Sequence, residues 1–549
     1  MLVRRLRLGL AFLFFGTAAC TLILDRSSEQ CSNSGDCATF GPRAMCVSNV
    51  CVAPPETDSG IDRDVPDTSE PEVPDAGDED ADADAGETFG HPGCFRGTPT
   101  TNEELLNACT RAACVPFDNC ARLGLCDGGL LGAIPPTGTP PPAAVTPDSG
   151  ATQLCTDLAA AAGLQIVYVT GSSNFPPFLA IFTPVLAKSG FTVVWQTSNS
   201  CAGVDSQFNT YAPAALQTTN KQKMFERPGR TTLFYNANGT TTPCLIADEV
   251  VPDIGESDIY AQTCTANIGY DAIAAGGSNV GEYLGPTLPM YFITPKRSTQ
   301  TVFSAEAGQA VFGRGGTPGA EAGVAEPMPY DDPAQFFIRA SSTATNQIIS
   351  RGILVEPTQW WGVDKNTAQT MAAQMLQVPQ NLAEKTIGII SADFADSERD
   401  NIKTLAFQAR GQSCGFWPDS TERTFDKQNV RDGHYPMWGP LHFFAKVPTN
   451  AAAGAFVSKF SVPRLDEELV VGMANGHVIP ACAMKVARDT EMGPIRAAGI
   501  ADRPYSCDCF FDKTANGVVD EAVCKTCTTA LDCKDPARPA CNYGYCEER

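Results

Sequence analysis

At 549 residues the chain exceeds one simple domain, and a hydrophobic content of 43% is enough to bury a large core. A net charge of −23 excludes nucleic acid and an anionic membrane surface as electrostatic partners. The charge is local: fourteen Asp and Glu against one Arg fall between residues 56 and 87, so the acidic balance describes a self-repelling tether and no taste for a cationic ligand.

Residues 1–20 read as a secretory signal, with Arg4, Arg5 and Arg7, an apolar run over 8–15, and small residues leading to Cys20. Small residues directly before a cysteine resemble a bacterial lipobox, which makes Cys20 the expected lipidation site and the cell envelope the expected address. The other 22 of the 23 cysteines form an even number, as a disulfide framework in an oxidising compartment requires.

Residues 21–53 form a small cysteine module in which Cys31, Cys37, Cys46 and Cys51 are separated by five, eight and four residues. At the far end, Cys527, Cys533, Cys541 and Cys546 are separated by five, seven and four, so the chain carries an internal repeat. Segments this short need staples in place of a core, and their spacing is similar to that of Dickkopf-type extracellular modules. Residues 54–90 are the acidic linker, extended by its own charge. Residues 91–150 combine five cysteines (Cys94, Cys109, Cys114, Cys120, Cys126), a helix expected over 102–113, and a Pro/Gly-rich run from 128 to 150. Cys155 is expected to pair with the odd cysteine of this set.

From 151 to 506 the chain alternates apolar strand-like runs (166–169, 192–195, 290–294, 336–338, 387–390, 441–445) with polar or helical segments, the pattern of an α/β fold. Its length favours two lobes with a site in the cleft between them. The organising stretch is IVYVTGSSNFPPF, 166–178: a strand, a hydroxyl-rich turn holding Ser172 and Ser173, then a helix start near Phe178 that offers backbone amides and a positive dipole end. Three later turns echo it: TSNSCAGVD (197–205), DIGESD (253–258) and FIRASSTATN (336–346). A guanidinium, several hydroxyls and a carboxylate that accepts a ligand proton are what an oxyanion needs in a dry cleft.

In this order the turns resemble those of the phosphate-binding protein of bacterial phosphate ABC importers, a type 2 periplasmic binding protein. EKTIGIISADFA (384–395) and HYPMWGPLHFFAK (434–446) are similar to further strands of that family, and the resemblance spans about 165–460. It implies two α/β lobes joined by a hinge of two crossings, lobe 1 over about 164–288 and 437–506 and lobe 2 over about 289–436. It also implies ligand contacts at Ser172, Ser173 and Phe175, at Ser198 or Ser200, at Asp258, and at Arg339, Thr343 and Thr345. One departure stands out. The acid that the family carries two positions after the arginine is Ser341 here, which relaxes selection among oxyanions.

For Arg339 a salt bridge to Asp331 or Asp332 is the structural alternative, and for Asp258 a helix cap. Two metal readings concern residues 507–549. Cys507, Cys509, Cys524 and Cys527 have zinc-like spacing, although export favours disulfides. Asp512, Thr514, Asn516 and Asp520 fall at calcium-loop positions, with Val523 where the bidentate Glu belongs. No nucleophile elbow or H-E-x-x-H motif occurs, and only Ser173 with His434 or His442 offers a base nearby in kind, so no enzyme and no cofactor are expected. The chain reads as an extracytoplasmic solute-binding lipoprotein holding phosphate or a similar small oxyanion, with an ABC permease or envelope protein as partner. The alternative is a surface interaction lipoprotein that uses this fold without a small ligand.

Overall fold

The computed structural model describes residues 45–47, 50–52 and 91–548, with interruptions at 92, 127–128, 130, 133, 135–150, 220, 226–231 and 265–278. The expected signal, Cys20 and the linker lie outside the described residues. The chain divides into two compact units, 1–84 and 85–549. In the first, Met45–Val47 and Val50–Val52 form a hairpin with Cys46 opposite Cys51. In the second, Ala540–Asn542 and Tyr545–Glu547 form the same hairpin with Cys541 opposite Cys546, so both copies of the repeat end in one local structure.

The body of the second unit is built on an eleven-stranded mixed sheet. Its strands are β1 (Gln165–Gly171), β2 (Phe191–Thr197), β3 (Thr232–Tyr235), β4 (Thr241–Pro243), β5 (Ile254–Ser257), β6 (Val280–Pro295), β7 (Phe336–Ile338), β8 (Val363–Asp364), β9 (Ile387–Ser391), β10 (Ile402–Thr404) and β11 (Trp438–Lys446). The order is β8-β7-β9-β6-β11-β5-β1-β2-β3-β4, with β10 pairing only with β6. The sixteen-residue β6 serves two lobes. Its first part pairs with β11 from Val280↔Lys446 to Pro289↔Trp438, and its last part pairs with β9 from Met290↔Ser391 to Ile293↔Gly388. The chain therefore crosses once at Pro289–Met290 and returns just before β11, where the Met290 amide donates to Met437 O (2.8 Å) and Tyr435 Oη donates to Met290 O (2.8 Å). Two α/β lobes with two crossings and disulfide-rich flanks is the architecture that the motif order implies.

Helix α1 (Pro176–Ala187) follows β1 and buries Phe178, Leu179, Phe182 and Leu186. Phe182 packs on Phe456 and Phe460, with ring centroids 4.7 and 5.1 Å away, and each such ring contributes about 2–3 kcal/mol of apolar burial. Helix α2 (Ser200–Tyr211) lies on β5 at backbone contact. A Cβ on Gly203 would overlap Glu256 O, and one on Gly255 would overlap Gly203 O, so glycine at both positions lets this helix seat and brings the end of β5 to the cleft.

The cysteine-rich segment 91–126 is packed against lobe 2. Cys114–Val115 is the edge strand of a second sheet with Gly415–Phe416, Ala406–Gln408 and Val302–Ser304, and Cys114 is disulfide-bonded to Cys414. Cys155 pairs with Cys244, where Leu154 bridges Leu245, and not with the odd cysteine upstream, because helix Cys155–Ala162 starts beside that bridge. The helix expected over 102–113 ends at Leu106, since Cys109 is drawn back to Cys94. Removing the Cys114–Cys414 cross-link by Cys114→Ser is expected to cost about 2–5 kcal/mol in denaturant unfolding without reductant, because the bond closes a 300-residue separation.

Candidate functional site

The first turn, between β1 and α1, meets the end of β5 from the same lobe and, from the other, Arg339 just after β7 and Thr345 on helix α3 (Ala344–Ile353); Asp393 lies on short helix α4 (Ala392–Ser397) of that second lobe. Asp258 is the hub. Its Oδ2 accepts from Ser172 Oγ at 2.5 Å and from Asn174 Nδ2 at 2.9 Å. The Ser172 amide donates to Glu256 Oε2 at 2.7 Å. Across the cleft, Asn174 Nδ2 also donates to Thr345 Oγ1 (3.3 Å), and Arg339 Nη2 donates to Ser173 Oγ (3.0 Å). Arg339 Nε donates to Asn366 O at 3.2 Å. Arg339 is 2% exposed, Asp258 and Thr345 are fully enclosed, and Ser173 and Asn366 are half-buried.

Arg339 Nη1, Asn174 Oδ1 and Ser200 Oγ have no hydrogen-bond partner within the described residues, while the Glu256 and Asp258 carboxyl groups are hydrogen-bonded to each other. An unpartnered buried polar atom costs about 1–3 kcal/mol. Burial, with Asp258 alongside and hydrogen-bonded to it, pushes the Glu256 carboxyl well above the usual range and favours its protonated form. Burial, reinforced by Asp258, pushes Asp393 up to about 7. Burial pulls the Arg339 guanidinium down to about 10, opposed by Asp364 and Asp258, so it stays cationic at neutral pH.

Asp393 makes a pH-dependent prediction. A carboxyl raised from 3.8 to about 7 binds more protons folded than unfolded, so its contribution to stability declines as pH rises from about 4 to 7. Asp393→Asn removes that penalty. Its stability relative to wild type is expected to rise by roughly 1–4 kcal/mol between pH 4.5 and pH 8, read from thermal melts at both values.

The structure thus brings Ser172, Ser173, Asp258, Arg339 and Thr345 together. It does not bring in Phe175, whose ring packs on Trp195 and Phe443 (5.3 and 5.6 Å) and whose amide donates to Ser172 O. Ser198 Oγ donates to Gly171 O (3.2 Å) and accepts from Thr170 Oγ1 (3.1 Å). Thr343 caps α3, with its hydroxyl donating to Ala340 O. Ser200 opens α2, buried, and makes no hydrogen bond through its hydroxyl to the Asp258 group. The helix after the first turn begins at Pro176 and not near Phe178. Two prolines in its first turn lack N–H groups, which thins the expected amide cradle. Glu256, Asn174 and Asp393 were not singled out from the sequence. The available signal was an acid inside an otherwise apolar strand, IGES.

The structural alternatives resolve locally. Asp331 pairs with Lys385, leaving Arg339 to the cleft. His434 and His442 bond Ala108 O and Glu282, with no hydrogen bond to Ser173 among the described residues. The calcium-loop reading is corrected by helix α5 (Asp508–Asn516), which holds Asp512, Thr514 and Asn516: Asp512 pairs with Arg431, Thr514 Oγ1 donates to Phe510 O and Asn516 Nδ2 donates to Asp426. Asp520, beyond that helix, accepts from the Ala522 amide in its own turn. Cys507, Cys509, Cys524 and Cys527 are all in disulfides, to Cys482, to each other and to Cys541, so none is available as a thiolate.

Comparison with protein-family models and with curated proteins returns no match. Among solved structures, the chain is similar to an ABC-type phosphate transport receptor from Vibrio cholerae (10% identity, 58% of this chain and 100% of that one, TM-score 0.36). It is also similar to a human phosphate-binding apolipoprotein (15% identity, 57% and 90%, TM-score 0.36). A third likeness is to the reduced OxyR regulatory domain from Pseudomonas aeruginosa (8% identity, 54% and 97%, TM-score 0.28). At these values the likenesses carry no weight for the ligand.

Proposed function

We propose that the chain is an extracytoplasmic solute-binding protein, tethered through a lipid on Cys20, that encloses a small oxyanion between its lobes. The observation that carries this reading is the buried Arg339, whose Nη2 reaches Ser173 across the interlobe cleft and whose Nη1 has no hydrogen-bond partner among the described residues. An anionic oxygen satisfies that donor, the hydroxyl hydrogens of Ser173 and Thr345 add to it, and Asp258 Oδ1 accepts a hydrogen from the solute. Nine disulfides among the described residues support an oxidising address. Phosphate is one candidate and an organic carboxylate another, and an ABC permease is the natural partner of a protein that delivers either.

A second reading, a binding-protein fold used only as an interaction surface, draws on the first turn, whose donors are spent on Glu256 and Asp258. Calorimetric titration of the full chain with phosphate, sulfate, molybdate and acetate separates the two. Saturable heat with at least one, lost in Arg339→Ala, is the expected result. No saturable heat with any of them sinks the proposal.

A further inference from the structure

Two crossings, through β6 and just before β11, carry the chain between the lobes, and a third stretch also spans them. Helix Glu467–Asn475 belongs to lobe 1, where Gly472 and Gly476 pack on Ile181 of α1. Directly after it, Ile479 exchanges two backbone hydrogen bonds with Thr287 of β6 (2.7 and 3.0 Å). Four residues further on, the chain is on lobe 2. Ala483 O accepts from Arg431 Nε (2.9 Å), the Lys485 amide donates to Arg431 O (3.0 Å), and Lys485 Nζ pairs with Asp432 (3.0 Å). It then turns back to lobe 1, where Arg488 O accepts from Tyr260 Oη (2.7 Å) and Glu491 Oε2 accepts from the Tyr260 amide (3.0 Å). Arg488 Nη2 donates to Pro436 O beside the second crossing (2.8 Å).

Helix α5 makes the next contact with lobe 2. Arg431, buried on helix Gln428–Asp432, pairs with Asp508 (3.1 Å) and with Asp512. Asn516 accepts from the Phe425 amide (3.0 Å) and donates to Asp426 Oδ2 (3.1 Å). The end of the chain is anchored on lobe 1: Tyr543 Oη donates to Leu465 O (2.9 Å), and the Arg464 guanidinium lies over the Tyr543 ring, 4.6 Å from its centroid. Between these anchors the segment is stiff. Four disulfides cross-link it, Phe510 stacks on Tyr543 with centroids 5.2 Å apart, and Glu547 Oε1 accepts from the Cys509 amide (2.7 Å).

We infer that residues 478–548 are a clamp that bridges the two lobes and fixes their relative orientation. A hinge of two strands opens by changing a few backbone torsions at the crossings. Here the same rotation must also break the buried pairing of Arg431 with Asp508 and Asp512 or pull Tyr543 off Leu465, and the rupture of a buried ion pair is strongly opposed. The module cannot stretch to absorb the motion, because its disulfides close it into short loops. The clamp goes beyond the oxyanion reading and does not rest on it: the lobes keep one orientation whether or not a solute binds.

The test is a distance measurement across the lobes of the full chain, with spin-labelled unnatural residues in place of exposed Ser189 on lobe 1 and exposed Gln377 on lobe 2. The wild-type background is expected to give one distance that moves by less than about 2 Å on adding phosphate or acetate, the displacement beyond which a domain rearrangement is recognised. Arg431→Met is expected to add a second component displaced by more than about 2 Å. Should that variant fail to fold by its melting curve, Asn516→Ala combined with Tyr543→Phe takes its place with the same expectation. Two distances in the wild-type background, a larger shift with either anion, or a folded clamp variant that keeps the wild-type distance overturns the inference. Calorimetric heat with phosphate or acetate and no shift supports both readings. No heat with any anion, together with one wild-type distance and a second in the variant, sinks the oxyanion reading and upholds the clamp.

Discussion

Arg339→Ala is expected to weaken solute binding by about 100-fold or more, measured by titration of folded variant and wild type side by side. The guanidinium is fully enclosed, and removing one partner of a desolvated charged contact costs about 2–5 kcal/mol. Folding is expected to survive, because the internal bonds of Arg339 are modest: one to Ser173 Oγ, one to Asn366 O and one from Asn346 Nδ2 to its carbonyl. Arg339→Lys is expected to recover only part of the loss. An ammonium delivers charge but cannot hold Ser173, Asn366 and a solute oxygen in the fixed fork of a guanidinium. Equal affinity in wild type and Arg339→Ala refutes the assignment.

The largest effect on stability is expected from Lys427→Met. The Lys427 Nζ is completely buried between Asp396 Oδ2 at 2.7 Å and Asp419 Oδ1 at 2.8 Å, and Arg399 pairs with both acids from the other side. Burial penalises the Asp396 carboxyl, but Lys427 and Arg399 overcome that penalty and hold it below the usual range. Withdrawing the lysine leaves two buried acids to one arginine, a loss of about 3–5 kcal/mol. The network matters for the site because of what it holds. Asp396 lies on α4 one turn from Asp393, and it accepts from Tyr291 Oη (3.3 Å) on β6, beside the first crossing. Denaturant unfolding of the variant checks the stability. A depressed native carboxyl also contributes stability above its unfolded value that fades in acid, so the variant's deficit is expected to shrink below about pH 4. A variant as stable as wild type at pH 7 contradicts the account.

Much of the architecture was legible before any coordinates. Six apolar runs located six strands of the sheet, because burial selects apolar residues where a strand crosses the core. The motif order implied two crossings, and β6 and β11 make them at Pro289–Met290 and just before Trp438. The spacing of the terminal cysteines marked a repeat whose two copies end in matching hairpins. Legibility failed where a pairing is long-range. Cys114 with Cys414, and Cys155 with Cys244, join residues whose neighbourhood depends on the finished sheet. The edge strand that 91–126 adds to lobe 2 is only two residues long, too short to leave a periodic pattern in a cysteine-rich segment.

The site divides along the same line. Which residues line the turns is written in the chain: hydroxyls, an aspartate after an apolar strand, and an arginine before a hydroxyl run are local features of TGSSN, GESD and RASST. Which of their atoms remain for a solute was decided only by the tertiary structure. Hydrogen bonding is a competition among groups brought together by folding, and here the competitors sit far apart in sequence: Ser172 loses its amide to Glu256, 84 residues on, and its hydroxyl to Asp258, 86 residues on. The sequence by itself determined that polar groups of both signs would gather in one cleft. The fold determined that the first turn gives its donors to its own carboxyl groups, leaving Arg339 Nη1 without a partner among the described residues.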